Sequence, residues 1–317
     1  MEFDTLPPRL QSRSNRRKHQ CRRNPPPRAM KLHQPAATPT LSTCAVKKPV
    51  EIRQVWASNL LLEFSKIHWA MSQGYNFIAL DTEFPGSPYV PDGIPVDYRS
   101  RSCEQHYAVL KMNVDRLKII QAGVTLTDQF GNLPDFGSEN RFVWEFNFSD
   151  FDIDRDECNK ESIALLERQG INFHNHKRFG INSAFFAALM VNSGMIGRQS
   201  LVWITFQGGV DLAYFMKILT KCDLPSDLEQ FKSCIQYYFG ERVFDVKHMM
   251  THCDKLYGGL NKVAETLKVE REAGESHQSG SDSLLTAMVF QKIVGLYFAG
   301  DGEALRFAGK LHNFVLD

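Results

Sequence analysis

No stretch of the sequence approaches the ~18–20 consecutive apolar residues that a bilayer-spanning helix needs, so no membrane association is expected. The first residues, MEFDTLPPRL, lack an apolar segment behind a charged start, which argues against a secretory signal peptide. The seven cysteines (Cys21, Cys44, Cys103, Cys158, Cys222, Cys234 and Cys253) are odd in number and scattered, and they form no C-x-x-C pair. That pattern argues against a disulfide framework and a cysteine-rich zinc site, and it suits a reducing compartment. There is no internal repeat. What remains is ordinary globular composition: of 317 residues 43% are hydrophobic and 23% charged, enough for a sizeable core in one large α/β domain or two smaller ones. A soluble intracellular protein is expected.

The near-neutral total of +1 hides an asymmetry. Residues 1–48 hold eleven Lys/Arg against two acids, Glu2 and Asp4, whereas the rest holds 26 bases against 34 acids. The same 48 residues carry seven of the fourteen prolines and almost no apolar periodicity. Such a segment buries too little apolar surface to offset its ordering entropy, so residues 1–48 are expected to form a disordered, basic, Pro-rich arm. Its cluster Arg13, Arg16, Arg17, Lys18, Arg22 and Arg23 suits a nuclear address, a non-specific RNA contact or a solvated linker. The acids near the start weaken a transit-peptide reading.

Residues 49–317 alternate strand and helix patterns. Apolar spacing through Val55, Leu62, Ile67 and Met71 predicts a helix over Ile52–Met71, stopped by Gly74. Asn76–Leu80 then predicts a buried first strand ending at Asp81, followed by a Pro/Gly-rich loop, Pro85–Pro95. Strands are expected at Leu117–Thr127, Phe142–Phe148 and Leu201–Phe206. Helices are expected at Lys160–Gln169, Phe179–Asn192, after Gly208-Gly209, Leu228–Phe239, Leu260–Lys268 and Ser281–Phe298. A βββαβα order followed by helices predicts one mixed-sheet α/β domain with a helical C-terminal part packed on it.

The chemistry begins where the buried strand ends. In Asp81-Thr82-Glu83 the acids are two residues apart, so on a strand both side chains share a face. Two like charges at the rim of a buried strand call for a cation, and an oxygen-only donor set suits Mg²⁺ or Mn²⁺ better than zinc. Asp211 follows a later strand and falls in the first turn of a helix. Asp282 opens the last long helix, and His277 precedes it by five residues on a loop. A histidine so placed is suited to taking a proton near neutral pH. Asp245, in Val243-Phe-Asp-Val-Lys, is a weaker fourth acid that reads as a strand end or a cap.

D-x-E on one strand, Asp after a later strand and H-x4-D opening a late helix is the order of DEDD-type 3′–5′ exonucleases with a histidine base. The strings Phe77-Ile-Ala-Leu-Asp-Thr-Glu-Phe-Pro-Gly86, Asn113-Val-Asp-Arg-Leu-Lys-Ile-Ile-Gln-Ala-Gly123, Asp245-Val-Lys and Gly280-Ser-Asp-Ser-Leu-Leu-Thr286 narrow this. They resemble the Caf/Pop deadenylase family, the exonuclease subunit of the CCR-NOT complex, over about residues 50–314. The resemblance implies a ribonuclease H-like exonuclease fold and removal of poly(A) from mRNA 3′ ends with release of 5′-AMP. It implies metal binding by Asp81, Glu83, Asp211 and Asp282, with His277 as general base. Two ions, Mg²⁺ or Mn²⁺, are implied, Asp81 being shared, Glu83 and Asp282 on one ion, and Asp211 on the other. The implied partners are the poly(A) tail, a Not scaffold subunit and a second deadenylase, in cytoplasm and nucleus.

The sequence departs from that family in places. The family's Phe-His-Ser-Gly-Tyr-Asp-Phe is Phe206-Gln-Gly-Gly-Val-Asp-Leu212 here, its Gln-Ala-Gly-Ser-Asp is Gln278-Ser-Gly-Ser-Asp282, and the arm lies outside the match. The acids and the histidine survive, so substrate fit is more exposed to change than chemistry. Phe84, Tyr89, Tyr98 and Tyr107 are candidate base-stacking residues. The acidic domain should bind RNA weakly by itself, because phosphate contacts come from Lys and Arg. A helix carrying Phe185, Phe186, Leu189 and Met190 is a candidate docking face, or core. Competing readings are a catalytically weak or inactive scaffold subunit and a DNA 3′ exonuclease on the same fold.

Overall fold

The computed structural model describes residues 47–300 and 302–315. Of the arm expected over residues 1–48, residues 1–46 lie outside the described residues. In chain order the elements are β1 (Val50–Val55), α1 (Leu60–Ser72), β2 (Phe77–Glu83), α2 (Cys103–Arg116), β3 (Gln121–Thr127), β4 (Arg141–Asn147), α3 (Lys160–Arg168), α4 (Phe173–Phe179), α5 (Ser183–Asn192), β5 (Val202–Thr205), α6 (Gly209–Thr220), α7 (Leu228–Phe239), β6 (Val243–Asp245), α8 (Val246–Met249), α9 (Leu260–Leu267) and α10 (Ser279–Tyr297). The strands form one six-stranded mixed sheet in the order β1-β4-β3-β2-β5-β6. β3 runs antiparallel to both neighbours, while β1 parallels β4 and β2, β5 and β6 parallel one another.

Strand alternation divides the core between the faces. Ile78 and Leu80 of β2 and Trp203 of β5 pack with residues of α1, α2, α5, α6 and α7. Ala79, Val202 and Ile204 face the other way, onto α8, α9 and α10. Asp81 and Glu83 continue the Ala79 side, toward α10, whereas Thr82 continues the Leu80 side, toward α6. The carboxyl ends of β2, β5 and β6 therefore share one edge of the sheet, the usual place for a site in open α/β sheets.

Several expectations need correction. The helix expected over Ile52–Met71 is a strand, β1, and a separate helix, α1. Six residues with apolar positions at 50, 52 and 55 are too few for periodicity to separate helix from strand, and parallel pairing with β4 decides for strand. Arg53 of β1 donates to Glu63, which is fully buried and also takes the Trp144 indole N–H, so β1 is held by an inward ion pair that hydropathy does not reveal. The strand bearing Asp81 is consequently the second, not the first. The βββαβα order also omitted α2, although Ser102 and Gln105 form a full capping box at its start. The helix expected over Phe179–Asn192 is α5, which starts only at Ser183, because the chain turns at Gly180, Ile181 bridges to Phe148 and Asn182 caps α5; α4 before it was not expected.

Candidate active site

Three elements bring the candidate acids together. β2 supplies Asp81 and Glu83 at its carboxyl end. Asp211 sits in the first turn of α6, buried, and accepts a 2.6 Å hydrogen bond from Thr82 Oγ1. Asp282 opens α10, and the ligand atoms of Glu83, His277 and Asp282 all lie within 4.8 Å of one another. His277 is exposed at the mouth, in a left-handed conformation (φ 62°) that its backbone N–H holds by donating to Asp282 Oδ2 at 2.9 Å. A non-glycine residue kept in that region is a strained feature typical of functional sites.

The amino end of α10 reaches the acids because β3 and β4 make room for it. Gly123 pairs with Asp81 across the β2–β3 ladder, and a Cβ there would stand 1.8 Å from the Ser279 carbonyl oxygen. Any side chain at 123 would push Asp282 away from β2. The free amides of the helix start are satisfied by neighbouring strands, not by a capping side chain of its own. Gln121 Oε1 accepts from Ser279 N and Oγ, and Glu145 Oε2 accepts from Gly280 N at 2.8 Å. Gln54 and Asn147 hold Glu145 and Gln121 in turn. Arg271, in the segment before α10, donates to Asp282 Oδ1 at 2.6 Å.

The electrostatics favour a bound cation. Burial raises the Asp81 pKa well above the carboxylate range, and the charges of Asp211, Asp282 and Glu83 raise it further, with Arg271 pulling the other way. Burial pushes Glu83 to about 8, with Asp282, Asp211 and Glu145 adding to it. Asp211 is pushed to about 7, mainly by burial and against its bond from Thr82. Asp81 and Glu83 keep partial exposure, so the cluster is both poorly hydrated and open to a ligand. A set of carboxylate oxygens whose ionised form is disfavoured until a positive charge arrives fits hard divalent ions such as Mg²⁺ or Mn²⁺.

Asp245 is not part of this cluster. It ends β6 and caps α8, wholly buried, and accepts from the backbone amides of Gln207, Lys247 and His312. It thereby fixes the left-handed Gln207 (φ 61°) just upstream of Asp211. The same turn explains one departure from the family string: a Cβ at Gly208 would lie 2.0 Å from Thr205 Oγ1. Of the four aromatics, Tyr107 is core, Phe84 stacks on Tyr214 and Tyr89 packs beneath Arg116, leaving Tyr98 most exposed at 40%. In α5, Phe186 and Met190 are fully buried while Phe185 is exposed, so the four residues do not form one docking face.

Sequence reasoning missed Thr82, Gln121, Gln54, Glu145, Asn147 and Arg271. Thr82 and Gln121 lay inside strings singled out for other residues; Gln54, Glu145, Asn147 and Arg271 become meaningful through strand register and the packing of α10.

Comparison with known proteins agrees with this geometry. The model of the CAF1 family ribonuclease matches residues 55–189 and 190–290. "Probable CCR4-associated factor 1 homolog 7" of Arabidopsis thaliana is 42% identical over 269 residues, 84% of this chain and 94% of that protein. Poly(A) ribonuclease pop2 of Schizosaccharomyces pombe is 39% identical over 249 residues, 78% of this chain and 71% of that protein. The solved structure of S. pombe Pop2p in its Mg²⁺- and Mn²⁺-bound form superposes with a TM-score of 0.75 at 37% identity, covering 84% of this chain and 99% of that one. CAF1 co-crystallised with the yeast NOT1 MIF4G domain gives 0.67 at 29% identity, covering 83% and 96%. The mixed sheet and its helices are the ribonuclease H-like fold of these structures. The chain belongs to the CAF1 ribonuclease family.

Proposed function

We propose that this chain is a poly(A)-specific 3′–5′ exoribonuclease that shortens mRNA tails and releases 5′-AMP as a subunit of a CCR-NOT-type complex. The observation that carries the reading is the convergence of acids from β2, α6 and α10 on one sheet edge, with His277 at the mouth within 4.8 Å of Glu83 and Asp282. Asp81, Glu83, Asp211 and Asp282 would hold the divalent ions, two of them. Bound divalent ions stabilise charge on phosphoryl oxygens and lower the pKa of water. His277 takes the proton of the attacking water at its ring nitrogen as the new O–P bond forms and the bond to the 3′ oxygen breaks. Thr82 keeps Asp211 in place, and the β3–β4 cradle does the same for the amino end of α10.

The yeast NOT1 MIF4G domain co-crystallised with CAF1 supports a Not scaffold partner, and the resemblance adds a second deadenylase and work in cytoplasm and nucleus. The basic segment 1–48 raises local RNA concentration for an acidic domain. The test is a time course on a 5′-labelled RNA ending in oligo(A), with Mg²⁺ or Mn²⁺, wild type beside Asp81→Asn. A metal-dependent ladder shortening from the 3′ end, absent in the variant and weaker on oligo(dA), is expected. Folded wild type that shortens neither strand with either metal would replace the enzyme reading with the scaffold one.

A further inference from the structure

Arg271 is the cation of the site, and none of its neighbours in sequence announces it. It lies in the segment between α9 and α10 with its side chain 18% exposed. A guanidinium carries four terminal N–H donors in a rigid plane. Nη1 serves Ser281 Oγ and the Glu275 carbonyl oxygen, and Nη2 serves Asn261 Oδ1 and Asp282 Oδ1. One planar group thus ties α9 to the turn before His277 and to the first residues of α10. Ser281 passes the link on to the Ala273 carbonyl, closing the segment on itself. Asp282 spends one oxygen on Arg271 and the other on the His277 amide, so the acid and the turn carrying the histidine are set by a single clamp.

Resting on the function proposed above, we propose that Arg271 is a positioning residue: its guanidinium fixes Asp282 and the His277 turn in the arrangement that binds the divalent ion and aims the base. Its terminal donors are committed to protein acceptors, so it has no free fork to offer a substrate phosphate. Nor is it simply a counter-charge. Removing a positive charge from beside a cation site should tighten cation binding by Coulomb's law, whereas removing a clamp should loosen it. The two roles predict opposite signs for one measurement.

The experiment titrates Mn²⁺ into wild type, Arg271→Gln and Arg271→Lys by calorimetry, and measures kcat and KM on oligo(A) separately, with circular dichroism confirming the fold. Positioning predicts a Mn²⁺ Kd raised about 10–100-fold in Arg271→Gln, kcat lowered by a similar factor, and KM nearly unchanged. Arg271→Lys keeps the charge without the planar fork and should remain impaired in both. Mn²⁺ binding tighter than wild type, full rescue by lysine, or a raised KM with unchanged Mn²⁺ affinity would each overturn the proposal. Asn261→Ala removes one exposed acceptor and preserves the fold if Arg271→Gln does not; it should weaken Mn²⁺ binding and kcat a few-fold, and no change in either would count against the clamp. Wild type that binds Mn²⁺ without cleaving oligo(A) would sink the assigned reaction while leaving the Mn²⁺ comparison to judge Arg271.

Discussion

Asp81 and Asp245 stand at the carboxyl ends of strands separated only by β5, and burial raises the pKa of both. Their surroundings differ in kind. Asp245 is closed off completely and receives backbone amides from Gln207, Lys247, His248 and His312, which pull its pKa back down and spend its lone pairs on protein. Asp81 stays partly open and faces Asp211, Asp282 and Glu83, which drive its pKa further up. A buried acid surrounded by amide donors is a fastening, whereas one surrounded by other acids is an appeal for a cation. Burial by itself distinguishes neither role.

Substitution at the two positions breaks the comparison most sharply. Asp81→Asn should drop exonuclease turnover at least ~10³-fold in the labelled-RNA assay, while the metal-free protein melts no lower than wild type because a buried acid whose ionised form is disfavoured has gone. A clear loss of metal-free stability in Asp81→Asn would mean that the carboxylate is structural after all. Next comes His277→Ala. It should slow turnover by about 10²–10³-fold with Mn²⁺ affinity close to wild type, since the ring is exposed and the turn is held by its backbone amide. If calorimetry shows Mn²⁺ affinity falling with the rate, His277 is a ligand and not the base.

Asp245→Asn reverses the pattern. The amide side chain offers one acceptor where two oxygens served these backbone N–H groups, and its own NH₂ faces donors. The expected cost is about 2–3 kcal/mol of stability in denaturant titration, with Mn²⁺ affinity retained and a modest fall in activity through the Gln207 turn. Lost Mn²⁺ binding at unchanged stability would move Asp245 into the metal site.

The same contrast explains what could be read in advance. The Asp81–Glu83 rim was legible because a short continuous apolar run must end somewhere, and two acids two residues apart at its end share a face of the strand. α7 was legible to the residue, as Asp227 caps its start and Gly240 stops its end. β1 was not, since its six residues are too few to show a period and its ion pair to Glu63 points inward. The fate of Asp245 was undecidable because its amide donors come from Gln207 and His312, 38 and 67 residues away. Arg271 and Glu145 were invisible for the same reason. Their meaning comes from which strand lies beside the start of α10, and that is fixed by sheet order.

The smallest expected effect concerns pH, and it tests the electrostatic half of the comparison alone. Glu83 and Asp211 titrate at about 8 and about 7 in the folded, metal-free chain, whereas an unfolded chain releases the same protons near pH 4. A group raised in this way adds its full stability below its unfolded pKa and loses it as pH climbs through its folded pKa. In EDTA, these two groups should therefore lower the melting temperature between about pH 6 and pH 8. A bound divalent ion displaces the protons and removes the repulsion, so the gain in melting temperature on adding Mn²⁺ should be larger at pH 8 than at pH 6. Each kcal/mol recovered is worth about 2–4 °C for a domain of this size. Asp81→Asn should shrink that pH dependence most, because the raised Asp81 carboxyl goes with it, and Asp245→Asn should shrink it less, by removing the charge that helps raise Asp211. A gain independent of pH in wild type would mean that the acids are already compensated without metal, and that the contrast between the two aspartates is one of packing alone.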